Sequence, residues 1–176
     1  MSLPPIERQL FRRVCGRFAT GITIVTVLDA KGAPQGMTVN SFTSVSLDPP
    51  LVLFCVDRNT SFLSHFAGTT RFAINILHED QKDLSSCFAQ SQQDRFRGME
   101  WTAGLNGAPI LPDVLAMLEC RVTQLVEAGD HVVIIGEVSH ATWREGQPLV
   151  YFNSSYQTLR SEASASTSGN DPWRCA

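Results

Sequence analysis

The stretch GMTVNSFTSVSLDPPLVLFCV, residues 36–56, decides how this chain is read. MTVNSFTSVSL (37–47) has the β-branched and aromatic content of an extended segment, yet small hydroxyl and amide side chains run through it. The DPP at 48–50 closes that segment, because proline donates no ladder hydrogen bond and biases its predecessor to extended geometry. LVLFCV (51–56) then reads as a fully buried strand. Burying the polar groups of 37–47 costs about 1–3 kcal/mol each unless partners satisfy them. Two readings follow. The partners are neighbouring strands, as in Ser and Thr ladders, or the segment presents backbone N–H groups and hydroxyls to a flat, polar heterocycle and its phosphate.

Outward from this stretch the pattern stays β-rich. Upstream, Leu10, Phe11, Val14 and Phe18 recur at helical intervals among Glu7, Arg8, Arg12 and Arg13, so 6–18 predicts an amphipathic helix. ITIVTVL (22–28) predicts a strand that Asp29–Pro34 turns into a hairpin with 37–47. Downstream, Asn59 or Thr60 caps a short helix carrying Phe62, Leu63 and Phe66 and stopped by Gly68. RFAINIL (71–77) reads as a strand, and 80–90 as a helix with Leu84, Cys87 and Phe88 on one face. Leu118, Cys120 and Val122 alternate with Glu119, Arg121 and Thr123, which predicts a strand with one wet face. It pairs with 131–143 through a turn at 127–130, and LVYF (149–152) forms the last strand. About seven mostly antiparallel strands with three short helices make a mainly β protein, a barrel decorated by helices. Residues 1–159 read as one domain, and 160–176, dominated by small and polar residues around a lone Trp173, as a flexible tail.

Composition narrows the chemistry. The 176 residues carry 14 Lys and Arg against 17 Asp and Glu, so no broad basic surface is available to nucleic acid or an anionic membrane. The start, MSLPPIERQLFRR, lacks the apolar stretch of a signal peptide, which suits a soluble cytoplasmic protein. Cys15, Cys55, Cys87, Cys120 and Cys175 are odd in number and never spaced as CxxC, against both a disulfide framework and a zinc site; reduced, mostly buried thiols are expected. His65, His78, His131 and His140 show no metal-ligand spacing. GxGxxG, GxxxxGK[ST], GxSxG and HExxH are all absent, so Rossmann, P-loop and common hydrolase devices are not written here.

The stretch 36–56 resembles the signature of the flavin reductase-like, FMN-binding split-barrel family. Further matches come in the family's order: Asn59-Thr60-Ser61, RFAINIL, Arg95-Phe96-Arg97-Gly98 as an RFxG element, and Gly129-Asp130-His131 as a GDH motif. The similarity spans about residues 8 to 158 and is specific as a set. It implies a homodimer of antiparallel split β-barrels, with flavin in a groove near the subunit interface. Position by position, Thr38, Val39, Asn40 and Ser41 would line the isoalloxazine, and Cys55 and Val56 would flank the ring or ribityl chain. Asn59 and Ser61 would meet the phosphate, Phe88, Ala89, Arg95 and Phe96 would complete the ring or phosphate contacts, and His131, with Tyr151 as an aromatic neighbour, would face the nicotinamide. Spacing alone favours His131 as a hairpin histidine bonded to a backbone carbonyl, and only the resemblance turns it toward the nicotinamide. One departure is Asn40, where many family members carry serine, so FMN and FAD stay open alternatives.

The resemblance implies an NAD(P)H:flavin oxidoreductase that passes hydride from NADH or NADPH to FMN or FAD and hands reduced flavin to a partner monooxygenase. Hydride passes directly between the two cofactors, so no catalytic acid, base or nucleophile is expected of the protein. A flavin-binding electron carrier without reductase activity and a related split-barrel oxidase are the alternatives.

Overall fold

In the computed structural model, which describes residues 4–66, 70–90 and 94–159, α1 (Arg8–Cys15) leads into β1 (Thr20–Gly21), β2 (Thr23–Leu28) and β3 (Pro34–Val39). Next come β4 (Thr43–Leu47), β5 (Pro50–Asp57) and a 3-10 helix (Ser61–Phe66), then β6 (Arg71–Ile76) and α2 (Lys82–Ala89). β7 (Thr102–Ala103) and β8 (Pro109–Ile110) form a small ribbon. β9 (Ala116–Ala128) and β10 (His131–Trp143) form a long hairpin, and β11 (Val150–Phe152) and β12 (Ser155–Gln157) a terminal one.

Seven strands share one antiparallel sheet in the order β3-β2-β6-β9-β10-β5-β4. Its two edges, β3 and β4, are consecutive in sequence and joined by residues 40–42 alone. A flat sheet would hold those edges about 29 Å apart, at about 4.8 Å per strand. Four Cα steps from Val39 to Thr43 reach at most about 14 Å. The sheet therefore curls until its edges nearly meet, and the 40–42 link lies in the seam between them. This is the split barrel.

The barrel interior is filled by one core that includes Val25, Phe54, Phe66, Phe72, Ile74 and Ile134. The rings of Phe54, Phe66 and Phe72 meet edge to face at 5.5–5.9 Å. A second core, with Ile24, Leu77, Phe88, Phe96, Leu111 and Leu149, lies between the barrel wall and α2. β2 serves both: Val25 points into the barrel and Ile24 toward α2, the two-residue period of a strand covered on each face. Between them Asn75 is fully buried and satisfied. Its Nδ2 donates to Ile24 O and Thr26 Oγ1, each at 3.1 Å, and its Oδ1 accepts from Leu111 N at 2.9 Å.

Several expectations are corrected. The segment 37–47 is not one strand but two edge strands separated by the seam. Glu119 does not lie on a wet face: it is 1% exposed, and its carboxylate accepts from Leu105 N and Asn106 N. The helix at 6–18 spans only Arg8–Cys15, and Leu10, Phe11 and Val14 on it are exposed. Among the described cysteines only Cys120 is buried, with burial pushing its thiol up to about 12; Cys15 is exposed and Cys55 and Cys87 are half-buried. Thr60, not Asn59, caps the 3-10 helix, its Oγ1 accepting from Phe62 N at 3.2 Å. Gly68 and the tail from 160 lie outside the described residues. No helix among the described residues is long and apolar enough to cross a membrane.

Candidate functional site

The seam between β3 and β4 carries the first group of expected residues. As sheet edges, both strands leave one row of backbone N–H and C=O groups without ladder partners. Thr38 Oγ1 donates to Ser85 O on α2 at 2.7 Å. That spends its only hydrogen, so toward a ligand Thr38 offers lone pairs alone. Val39 points into the barrel core, Asn40 is exposed, and Ser41 acts as a clasp. Cys55 N donates to Ser41 Oγ at 2.9 Å, and Ser41 Oγ donates back to Cys55 O at 3.4 Å. The clasp fixes the 40–42 link against β5 where ladder bonds are missing.

β5 and β10 carry the second group. Their register sets Cys55 opposite Val133 and Asp57 opposite His131, so all four lie on the sheet's outer face. Val56 alternates inward and is fully buried. One strand and one residue pair separate the Ser41 clasp from His131. The turn that delivers His131 needs Gly129, whose φ of 64° lies in the left-handed region. His131 Nδ1 sits 2.7 Å from Asp130 Oδ1, and its side chain is 44% exposed. The hydrogen bond to His131, reinforced by its charge, holds the Asp130 carboxyl below the usual carboxylate range. An ionised carboxylate only accepts, so Nδ1 carries the proton, and in the neutral ring Nε2 is left as an acceptor. The partner is thus a carboxylate, not the backbone carbonyl that spacing allowed. Nearby, Asn59 N and Nδ2 both donate to Asp57 Oδ1, at 2.8 and 3.1 Å, and Ser61 is exposed.

The third group clusters around α2. The rings of Phe88 and Phe96 are enclosed in the second core, 5.0 Å apart and edge to face. Any ligand contact at these two positions falls to backbone atoms. Beneath them Gly36 is sterically required: a Cβ there would stand 2.6 Å from Phe88 Cε1. Arg95 Nε donates to Gln90 O at 2.8 Å and Nη1 to Gly36 O, so the guanidinium ties the end of α2 to β3; burial lowers its pKa. Ala89 is exposed at the end of α2. Tyr151 lies 5.5 Å from the ring of Tyr156.

Sequence reasoning missed Ser85 and Tyr156. Ser85 Oγ stands 2.9 Å from Tyr156 Oη, so a chain of contacts runs from Thr38 through α2 to the terminal hairpin. No motif marks either residue; only the helical phase of α2, which turns Ser85 inward, carried a signal.

Residues 15–160 match the family model described as flavin reductase like domain. The chain belongs to that family. A probable flavin reductase of Rhizobium meliloti (strain 1021) is 48% identical over 139 residues, which are 79% of this chain and 45% of that protein. The chain therefore spans less than half the length of that relative. Among solved structures, nitrilotriacetate monooxygenase component B from Mycobacterium thermoresistibile superimposes with a TM-score of 0.86 at 34% identity, covering 96% of both chains. The Streptomyces globisporus NADH:FAD oxidoreductase SgcE6, solved in complex with NAD and FAD fragments, gives a TM-score of 0.85 at 36% identity over 93% of this chain and 99% of that one.

The residues of this flavin reductase-like chain fit a flavin. An open strand edge supplies alternating main-chain donors and acceptors for a heterocycle bearing both, and Thr38, whose hydrogen goes to Ser85 O, has lone pairs alone to offer. The half-buried Cys55 offers a small, polarisable wall beside them.

Proposed function

We propose that this chain is an NAD(P)H:flavin oxidoreductase that reduces FMN or FAD with NADH or NADPH and supplies the reduced flavin to a partner monooxygenase in the cytoplasm. The observation that carries the reading is the seam: residues 38–41 form an open edge clasped to Cys55, one strand from the Asp130-oriented His131. When bound, the flavin accepts hydride from the nicotinamide by the cofactors' own chemistry.

The protein's work is placement. Thr38, Asn40 and the main chain of Val39 and Ser41 would hold the isoalloxazine edge, with Cys55 and the main chain of Val56 against the ring. Ser61 would take the phosphate, joined by the Asn59 amide once it leaves Asp57. Ala89, Arg95 and the main chain of Phe88 and Phe96 would border the groove on the α2 side. His131 would present Nε2 as an acceptor to the carboxamide N–H of the nicotinamide, with Tyr151 an aromatic neighbour. The outer face that would receive these rings is only half-covered in one chain, which favours a homodimer in which a second copy closes it. The relative named as a monooxygenase component supports a monooxygenase as recipient.

The test is spectrophotometric oxidation of NADH and NADPH with FMN, FAD and riboflavin added in turn. Turnover with at least one pairing is expected; none with any pairing rejects the reading.

A further inference from the structure

At the opposite end of β3 from Thr38, a cleft of about 930 Å³ opens between the β2–β3 turn, the end of the 3-10 helix, the start of β6 and the 104–108 loop. Its charged lining comprises Asp29, Lys31, His65 and Arg71. Among the described residues neither Lys31 nor Arg71 has a carboxylate partner. Across the β6–β9 register Arg71 stands opposite Arg121, and the carboxylate there, Glu137, is already taken by Arg121 at 2.7 Å. Asp29 is in an ion pair with neither cation, but its carboxylate keeps its charge, so two cations stand against one anion in the lining. Its Oδ1 accepts from Lys31 N at 2.8 Å and Ala33 N at 2.9 Å, and its Oδ2 from Gln35 Nε2 at 3.2 Å.

The described walls are tied by hydrogen bonds of their own. Asn106 Nδ2 donates to Phe72 O and Cys120 O at 3.1 and 3.2 Å, its Oδ1 accepts from Ala108 N at 2.8 Å, and buried Glu119 holds the loop from below. Thr70 Oγ1 donates to His65 O at 3.0 Å, tying the helix end to β6. Lys31 and Arg71 outnumber Asp29 in this cleft, a local excess of positive charge on a chain whose net charge is −3. The volume falls in the range of small-ligand sites, about 300–1,000 Å³.

We propose that this cleft binds the phosphate of a nucleotide, with Lys31 and Arg71 as its paired cations. The site lies about 17 Å, the length of β3, from the seam, so it does not depend on the flavin reading. The phosphate comes either from a free mononucleotide or from the adenylate half of a dinucleotide.

Isothermal titration calorimetry of the full chain with 5′-AMP, inorganic phosphate and adenosine, each with and without FMN, tests this. AMP is expected to bind one per chain in both conditions, phosphate more weakly and adenosine not at all. In K31A/R71A, AMP binding weakens at least about tenfold, FMN binding stays within twofold, and the thermal melt is unchanged because both side chains are exposed. Arg71→Lys, which keeps the charge, retains most of the affinity. A raised KM for NADH in K31A/R71A assigns the phosphate to the dinucleotide, and an unchanged KM to a free mononucleotide. Absence of AMP binding, equal binding by K31A/R71A, or adenosine binding as tightly as AMP overturns the proposal.

Discussion

At the scale of single residues, the same seam makes opposite demands on its side chains: some must be free to meet a ligand and others must be spent on structure. In the proposed function His131 is of the first kind, since Asp130 consumes Nδ1 and Nε2 is left over. His131→Ala should raise the KM for NADH about tenfold, the worth of one lost hydrogen bond to a positioned group, while the Kd for flavin in fluorescence titration stays within twofold. Equal losses in both would place His131 in the flavin contact instead. Gly36 is of the second kind. A methyl there must displace the Phe88 ring, 2.6 Å away, and Phe88 has no free volume in a core shared with Phe96. Gly36→Ala is expected to cost about 1–3 kcal/mol, at about 2–4 °C of Tm per kcal/mol, in a calorimetric melt.

At the scale of elements, what the sequence disclosed followed periodicity, and what it hid followed long-range pairing. β2, β5, β6 and the β9–β10 hairpin were legible because runs of β-branched and apolar residues have few other uses. The break at 40–42 was not, because Ser41 and Asn40 keep the strand pattern and only the Cys55 clasp, 14 residues away, reveals the bend. Glu119 misled for the same reason: alternation assigned it to water, but its donors are backbone N–H groups of a loop 13 and 14 residues earlier. Of the candidate site, the motifs named the residues, and the fold alone showed that Phe88 and Phe96 turn their rings inward. The β2–β3 turn was legible and is testable through pH. Backbone bonds from Ala33 and Lys31 hold Asp29 below its ordinary value of 3.8. A depressed carboxyl contributes stability in full above the unfolded-state value and loses it as pH falls through the folded one. Urea unfolding of the wild type and Asp29→Asn should therefore differ at neutral pH, with the wild type more stable, and converge in acid as pH falls through the folded-state value; a gap independent of pH would contradict the assignment.

At the scale of the whole molecule, one chain leaves too much apolar surface in water. On and after α1, Leu10, Phe11, Val14 and Phe18 are 50%, 55%, 59% and 77% exposed, so among the described residues the apolar side of this helix is at least half uncovered. A second apolar area lies on the outer face of β5 and β10, where Leu53, Cys55, Val133 and Ile135 are half-buried and Val126 on β9 is 44% exposed. Contiguous apolar surface of this kind marks an interface. A twofold pairing can cover both areas at once and would place the second copy over the face that carries Cys55 and His131. The chain is therefore expected to elute as a dimer in size-exclusion chromatography with light scattering. The double substitution F11E/V14E, on a helix that contributes no buried residue to its own chain, should yield a folded monomer. If the second copy supplies the missing wall, that monomer loses flavin affinity at least about tenfold, while its far-UV spectrum is unchanged. A monomeric variant that binds flavin as tightly as the parent would show that one chain completes the groove alone, and the exposed helix would then need another partner.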